Sequence, residues 1–394
     1  MRRKGKGGIE AILVLGLMCV VLQGCGGGGG GGGTGGGGGG GMPGLMGGSI
    51  QGTALSLVDN VTTFAGSLLG QSGTANGTKT NARFDLPIGI TTDGTNLYVA
   101  DSNNNTIRMV VISTGAVTTV AGAAGSVVLY LDANGTSARF NAPTGITTDG
   151  TNLYVADSGN NRIRKVVIGG SWTVTTIAGD GVDGPDDSPT DGRFARFSFP
   201  QGITMDGTNL YVADTQNNTI RKVVIGGAWG VTTIAGTAGS GTLYLDAPIG
   251  TNARFNFPQG ITTDGTNLYV SDTLNHVIRK VVINPQWPVS TLAGSAGVSG
   301  SVDATGTAAS FHFPYGITSD GTSLYVGDSF NNTIRKVVIA TQVVTTVAGS
   351  ASDLPDLVDG IGTNARFWFP DGITTDGKKL YVADSGNNTI RAIE

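Results

Sequence analysis

Residues 200–222 read PQGITMDGTNLYVADTQNNTIRK, and five other stretches of the chain are close copies of them. The aspartate ending the L-Y-V-x-D core recurs at Asp101, Asp157, Asp214, Asp272, Asp328 and Asp384, a period of 56 to 58 residues. Each unit reads as four short strands. In the first complete one these are residues 89–92, 97–100, 106–112 and 117–121, with turn chemistry at Asp93-Gly94 and Asn103-Asn104 between them. Leu-Tyr-Val-Ala and Ile-Arg-Met-Val-Val-Ile supply the β-branched and aromatic content that suits sheets buried on both faces. A period of this length, built from strands and turns with no helical stretch, predicts an all-β propeller of radially packed, four-stranded antiparallel blades.

The blade count follows from the chain ends. A V-[TS]-T-x-A-G strand starts at Val61, Val117, Val174, Val231, Val289 and Val344, so there are six outer strands. The first stands before any inner strand, and the last unit stops at Glu394 without one of its own. Residues 61–66 are therefore expected to complete the sixth blade, which closes the ring and removes the free edges of an open fan.

Composition agrees. The chain has 394 residues, 67 glycines and only two glutamates, Glu10 and Glu394. Asp and Gly serve turns, whereas helix surfaces need Glu, Lys and Ala. Arg2, Arg3, Lys4 and Lys6, followed by the apolar run 11–22, form a signal-like leader too short to span a bilayer stably. It ends in Leu22-Gln23-Gly24-Cys25, which resembles the lipobox of bacterial lipoproteins. That resemblance implies cleavage after residue 24 and lipidation of Cys25. With Cys19 gone in the leader, neither disulfides nor thiol chemistry remain.

Residues 25–60 then read as a lipidated cysteine and a glycine-rich tether with a root-mean-square reach of roughly 30–35 Å, and 61–394 as the propeller. Gly26 after the cysteine, where an aspartate would signal inner-membrane retention, points to an outer-membrane lipoprotein facing the periplasm or the cell surface. Loss of residues 1–24 takes the formal charge from −4 to −7. An acidic exported body argues against nucleic acid, which needs a basic face.

The D-S-x-N-N-x-I-R-K and V-T-T-x-A-G elements, present across 61–394, resemble the NHL repeat. The resemblance implies a propeller family that includes receptor sensor domains and interaction modules, and also zinc-dependent peptide-amidating lyases and streptogramin lyases. A shared fold carries no shared function by itself.

Positions that vary within the constant frame are where a ligand is read. Inside P-x-G, at the expected mouth of the central channel, the series is Ile88, Thr144, Gln201, Gln259, Tyr315, Asp371. Two residues before the proline it is Asp85, Asn141, Ser198, Asn256, His312, Trp368. In the loop between the second and third strands it is Asn103, Gly159, Gln216, Leu274, Phe330, Gly386. Blades four to six thus gather Leu274, His276, His312, Tyr315, Phe330, Trp368 and Asp371 on one sector of the upper face, the face carrying these loops. The A-R-F arginine of the other blades is Ser310 there. Exposed aromatics with one or two titratable groups make a recognition patch. Packing as ordinary loop cores is the alternative.

The 14- to 16-residue loops from A-G to A-R-F are expected on the same face. Their Asp132, Asp246, Asp303 and Asp359 suit either calcium or turn caps. Trp172, Trp229 and Trp287, each two residues before an outer strand, read as hairpin caps or as a docking stripe on the opposite face. The repeated Asp and Arg of L-Y-V-x-D and I-R, identical in every copy, read as structural ion pairs.

His276 and His312 are the only histidines. The zinc site implied by the lyase resemblance needs more, and no spacing nominates a hydrolytic triad. No metal or cofactor is expected. The sequence therefore predicts a monomeric, membrane-anchored binding or scaffold module for a protein or cell-envelope ligand. The alternative is a lyase or hydrolase at the channel mouth with His312 as base.

Overall fold

In the computed structural model, residues 54–126, 130–239 and 244–394 are described. Cys25, the leader and the glycine tract lie outside them. The described residues form six blades of four antiparallel strands, two of them widened by a fifth two-residue strand. The third blade is representative: Pro200–Met205 innermost, then Asn209–Asp214, Thr219–Val224 and Val231–Ala235 outermost. Blade one, read from the sequence as 89–92, 97–100, 106–112 and 117–121, runs Pro87–Thr92, Asn96–Asp101, Thr106–Val111 and Ala116–Gly122.

The ring closes as expected. Asn60–Gly66 lies antiparallel to Thr389–Ile393, pairing Val61 with Ile393, Thr63 with Arg391 and Ala65 with Ile390. Blade six thus takes its outer strand from the opposite end of the chain. Val61 and Ala65 have no exposed surface.

L-Y-V-A is wholly buried because alternate side chains enter different interfaces. Leu210 and Val212 pack with Tyr154 and Ala156 of the preceding blade, while Tyr211 and Ala213 pack with Leu268 and Val270 of the next. Two hydrogen bonds repeat at every interface. The hydroxyl after the core aspartate donates to the inner proline carbonyl of the next blade, as in Thr215 to Pro258 at 2.7 Å, and Ser385 to Pro87 closes the circle. Meanwhile the side chain of the second residue of N-[NH] accepts from the backbone N–H preceding that proline: Asn218 from Phe257, Asn388 from Leu86. The glycine of P-x-G is forced by close approach. A Cβ on Gly202 would lie 2.1 Å from the Gln259 carbonyl oxygen.

Each blade also buries one guanidinium. Arg221 gives one arm to Asp214 at 2.6 Å and the other to Asp187 at 2.8 Å, with Phe197 of A-R-F beneath it at 4.9 Å. Asp132, Asp246, Asp303 and Asp359 hold Arg164, Arg279, Arg335 and Arg391 in the same way. These loop aspartates are counter-ions to buried arginines, a role that neither the calcium nor the turn-cap reading of the sequence named. To reach the arginines, the long loops leave the upper face and run down the periphery. There they add a bridge or a short strand to the outer strand's open edge, as Gly77 does to Val117 and Gly360 to Val61. Each then makes a single 3-10 turn, such as Gly192–Phe194, before A-R-F. Only their first halves remain beside the upper face, so the sequence expectation placed too much of them there.

Candidate functional site

The upper face of blades four to six carries a run of rings. Seven side chains were nominated from sequence, and the structure divides them. His276, His312, Phe330 and Trp368 join one aromatic chain, while Tyr315 lines the central channel and the Asp371 carboxyl is enclosed with Ser385 and Ser329. Leu274 occupies the blade-four counterpart of Phe330, its N–H bonded to the Asn256 carbonyl at 3.1 Å.

The chain is continuous only because of two residues the sequence reading passed over, Phe313 and Phe369. His276 and His312 meet edge-on at 5.7 Å between centroids, His312 stacks on Phe313 at 5.1 Å, and Phe313 meets Phe330 at 4.7 Å. Phe330 contacts Phe369 at 5.0 Å, and Phe369 contacts Trp368 at 6.2 Å. Phe313 and Phe369 precede the inner prolines, where the series runs Leu86, Ala142, Phe199, Phe257, Phe313, Phe369. Four phenylalanines of six looked like framework. Both stand at φ 50, a left-handed conformation costly for a bulky residue. The cap on the N–H holds them there: Asn332 for Phe369, and His276 for Phe313.

His276 therefore fills the place asparagine takes in the other five copies, at φ 60. Its Nδ1 accepts from Phe313 N–H at 3.2 Å, which puts the ring proton on Nε2. Burial, and then the neighbouring His312, push its pKa down to about 4, so it is neutral at physiological pH. Trp368 is the exposed member, with 43 % of its surface open, while the other rings are half-buried.

The channel is a separate environment. Its walls are the P-x-G segments, and the space within them is about 80 Å³, below the roughly 300–1,000 Å³ of small-molecule sites. Tyr315 from blade five reaches across to donate to the Gln201 side chain of blade three. Asp371 keeps some surface, but its carboxyl is enclosed. Burial pushes its pKa up to about 7, against hydrogen bonds from Ser385 and Ser329 and with Asp384 adding to the rise. Those same serine hydroxyls reach the carbonyls of Pro87 and Pro370. The His312 ring lies among the rings of His276, Phe313 and Phe330. Among the described residues, no cluster of three His, Cys, Asp or Glu is placed to hold a metal ion.

Trp172, Trp229 and Trp287 pack on Tyr98, Tyr154 and Tyr211 of the preceding blade at 6.3, 6.0 and 6.0 Å. Each stands at positive φ and closes its hairpin through its N–H. They cap; they do not form a free stripe.

No family model matches the chain. Among curated proteins it is similar to NHL repeat-containing protein 2 of Bos taurus, 29% identical over 285 residues, 64% of this chain and 38% of that protein. The Homo sapiens protein of the same name is 30% identical over 273 residues, 61% of this chain and 37% of its own length. The match thus spans less than two-fifths of these relatives. Among solved structures, an auxiliary nutrient binding protein from Bacteroides ovatus superposes with a TM-score of 0.64 at 18% identity, over 86% of this chain and 77% of that one. At that identity the likeness is one of fold.

Proposed function

We propose that this chain, an NHL-repeat six-bladed β-propeller, is an extracytoplasmic, membrane-anchored binding module that holds a protein or envelope ligand on the upper face of blades four to six. The observation that carries the reading is the ring run from His276 to Trp368. It joins His276, His312, Phe330 and Trp368, which depart from their counterparts in other blades, through Phe313 and Phe369, and it sits on a frame whose repeated side chains are committed to structure. The Bacteroides propeller named for nutrient binding shares this architecture and supports a binding role. The small volume of the channel favours binding over chemistry at its mouth.

Leu55 N–H bonds to Asp320 in the hairpin between the first and second strands of blade five, and Leu55 is buried in the core between blades five and six. The chain thus enters the ring from the lower face. Cys25→Ser is expected to move the protein from the membrane fraction to the soluble one; retention in the membrane would remove the anchor. Capture from envelope extract should lose its partner in Phe330→Ala/Trp368→Ala and keep it in Trp229→Phe. Equal capture by both would displace the site from this sector.

A further inference from the structure

Trp368 differs from every other tryptophan of the chain. Trp172, Trp229 and Trp287 are half-buried against tyrosines, whereas Trp368 is 43 % exposed. The cause is local. The loop residue opposite it is Gly386, whose N–H bonds to the Trp368 carbonyl at 2.8 Å. A Cβ on Gly386 would lie 2.6 Å from the indole Cγ and 2.8 Å from Cδ2. Where blade five places Phe330, blade six places no side chain at all, and the indole packs against the backbone of Gly386 while 43 % of the residue stays exposed. Phe369 and Phe330 continue from it as tilted rings, at interplanar angles of 33° and 57°.

Several of the charged groups around this platform are committed to partners. His276 is held neutral, and the blade-five arginine of A-R-F is replaced by Ser310, whose Oγ accepts from Val302 N–H. Arg366, two residues before Trp368, is paired with Asp353 at 2.5 Å. Beneath the loops Asp272, Asp328 and Asp384 are each closed on a guanidinium. A phosphorylated or anionic ligand would find no uncommitted cation in this group, and a basic peptide no uncommitted carboxylate. The open indole offers on the order of 100 Å², far short of the roughly 800 Å² per partner in a stable protein interface. What fits is a small, flat, uncharged body with an apolar C–H face for the π surface and hydroxyls at its rim.

On these grounds, and resting on the upper-face binding reading above, we propose that the ligand is a neutral carbohydrate, with a pyranose ring stacked on Trp368 and the chain continuing over Phe369 and Phe330.

The test is affinity electrophoresis of the full chain carrying Cys25→Ser through gels containing neutral polysaccharides, namely a β-glucan, an α-glucan, a xylan and a mannan. A parallel array of neutral peptides is probed with the same protein. Retardation by at least one polysaccharide is expected, weakened roughly 10- to 100-fold in Trp368→Ala, largely retained in Trp368→Phe and unchanged in Trp229→Phe. Polysaccharide binding indifferent to Trp368→Ala would overturn the stacking site. Peptide binding that depends on Trp368, without polysaccharide binding, would overturn the carbohydrate assignment and leave the upper-face module standing. Binding of neither class would overturn both.

Discussion

The two carboxylates on Arg221 should differ greatly in what their loss does. Asp214 has no exposed side-chain surface. It accepts from Ser198 N–H at 2.7 Å, from the Asn217 amide at 2.9 Å and from Arg221 at 2.6 Å. In Asp214→Asn, an amide NH2 faces donors on at least one side, and a guanidinium arm is left buried without its counter-charge. Breaking such a pair costs about 3–5 kcal/mol. Asp187, by contrast, has 38 % of its side chain exposed, and the arm of Arg221 it binds keeps the Asp186 carbonyl at 2.9 Å. Its loss should cost about 1 kcal/mol or less. For a ring of about 330 residues, an unfolding entropy of roughly 2.1 cal/mol/K per residue converts these into falls in Tm of about 4–7 °C and 1 °C or so. Thermal melting followed by circular dichroism measures both. Asp214→Asn/Arg221→Met should recover part of the loss, because the stranded charge goes with its partner. If Asp214→Asn melts no lower than Asp187→Asn, the repeated aspartate is not the structural counter-ion described here.

Three further outcomes follow from the same geometry. Val61→Asp buries a charge in the strand that closes blade six and should lower Tm at least as far as Asp214→Asn; an unchanged melt would refute closure by that strand. His276→Asn should melt within about 0.5 kcal/mol of the parent, since asparagine tolerates the left-handed conformation and supplies the same cap, whereas His276→Ala loses the cap at about 1 kcal/mol or more; equal losses would mean the imidazole is needed for something else. Asp371 has a pKa raised from the ordinary carboxylate value to about 7, so its contribution to stability is present in acid and lost as pH rises through 7. Asp371→Asn should therefore melt above the parent at pH 8, with the curves converging as pH falls toward the ordinary carboxylate range; a constant difference across that window would refute the enclosed carboxyl.

The ring was legible in the sequence because one supersecondary unit is written six times and each copy confirms the others. The interval between aspartates gave the repeat, and the displaced V-T-T-F-A-G at Val61 gave the closure. What a single unit cannot report is where its loops go. The long loops carry aspartates that answer arginines in the sheet, so they hug the periphery, a pairing between residues some thirty positions apart that no local pattern announces. The site was half legible for a related reason. His312, Phe330 and Trp368 stood out by departing from their counterparts, but Phe313 and Phe369 match theirs and passed as framework, although they join the rings. His276 also stood out, yet its position is that of the asparagine cap, so its divergence is first a structural substitution. Tyr315 and Asp371 share the inner strands with the sector, but Tyr315 lines the channel and the Asp371 carboxyl is enclosed with Ser385 and Ser329.

The most direct test of the binding face is hydroxyl-radical footprinting of the chain with and without its envelope ligand, read by mass spectrometry at each aromatic residue. Protection of Trp368, Phe369 and Phe330, with Trp172, Trp229 and Trp287 unchanged, is the predicted result. Protection confined to the lower-face tryptophans, with Trp368 as reactive as in the free protein, would contradict it.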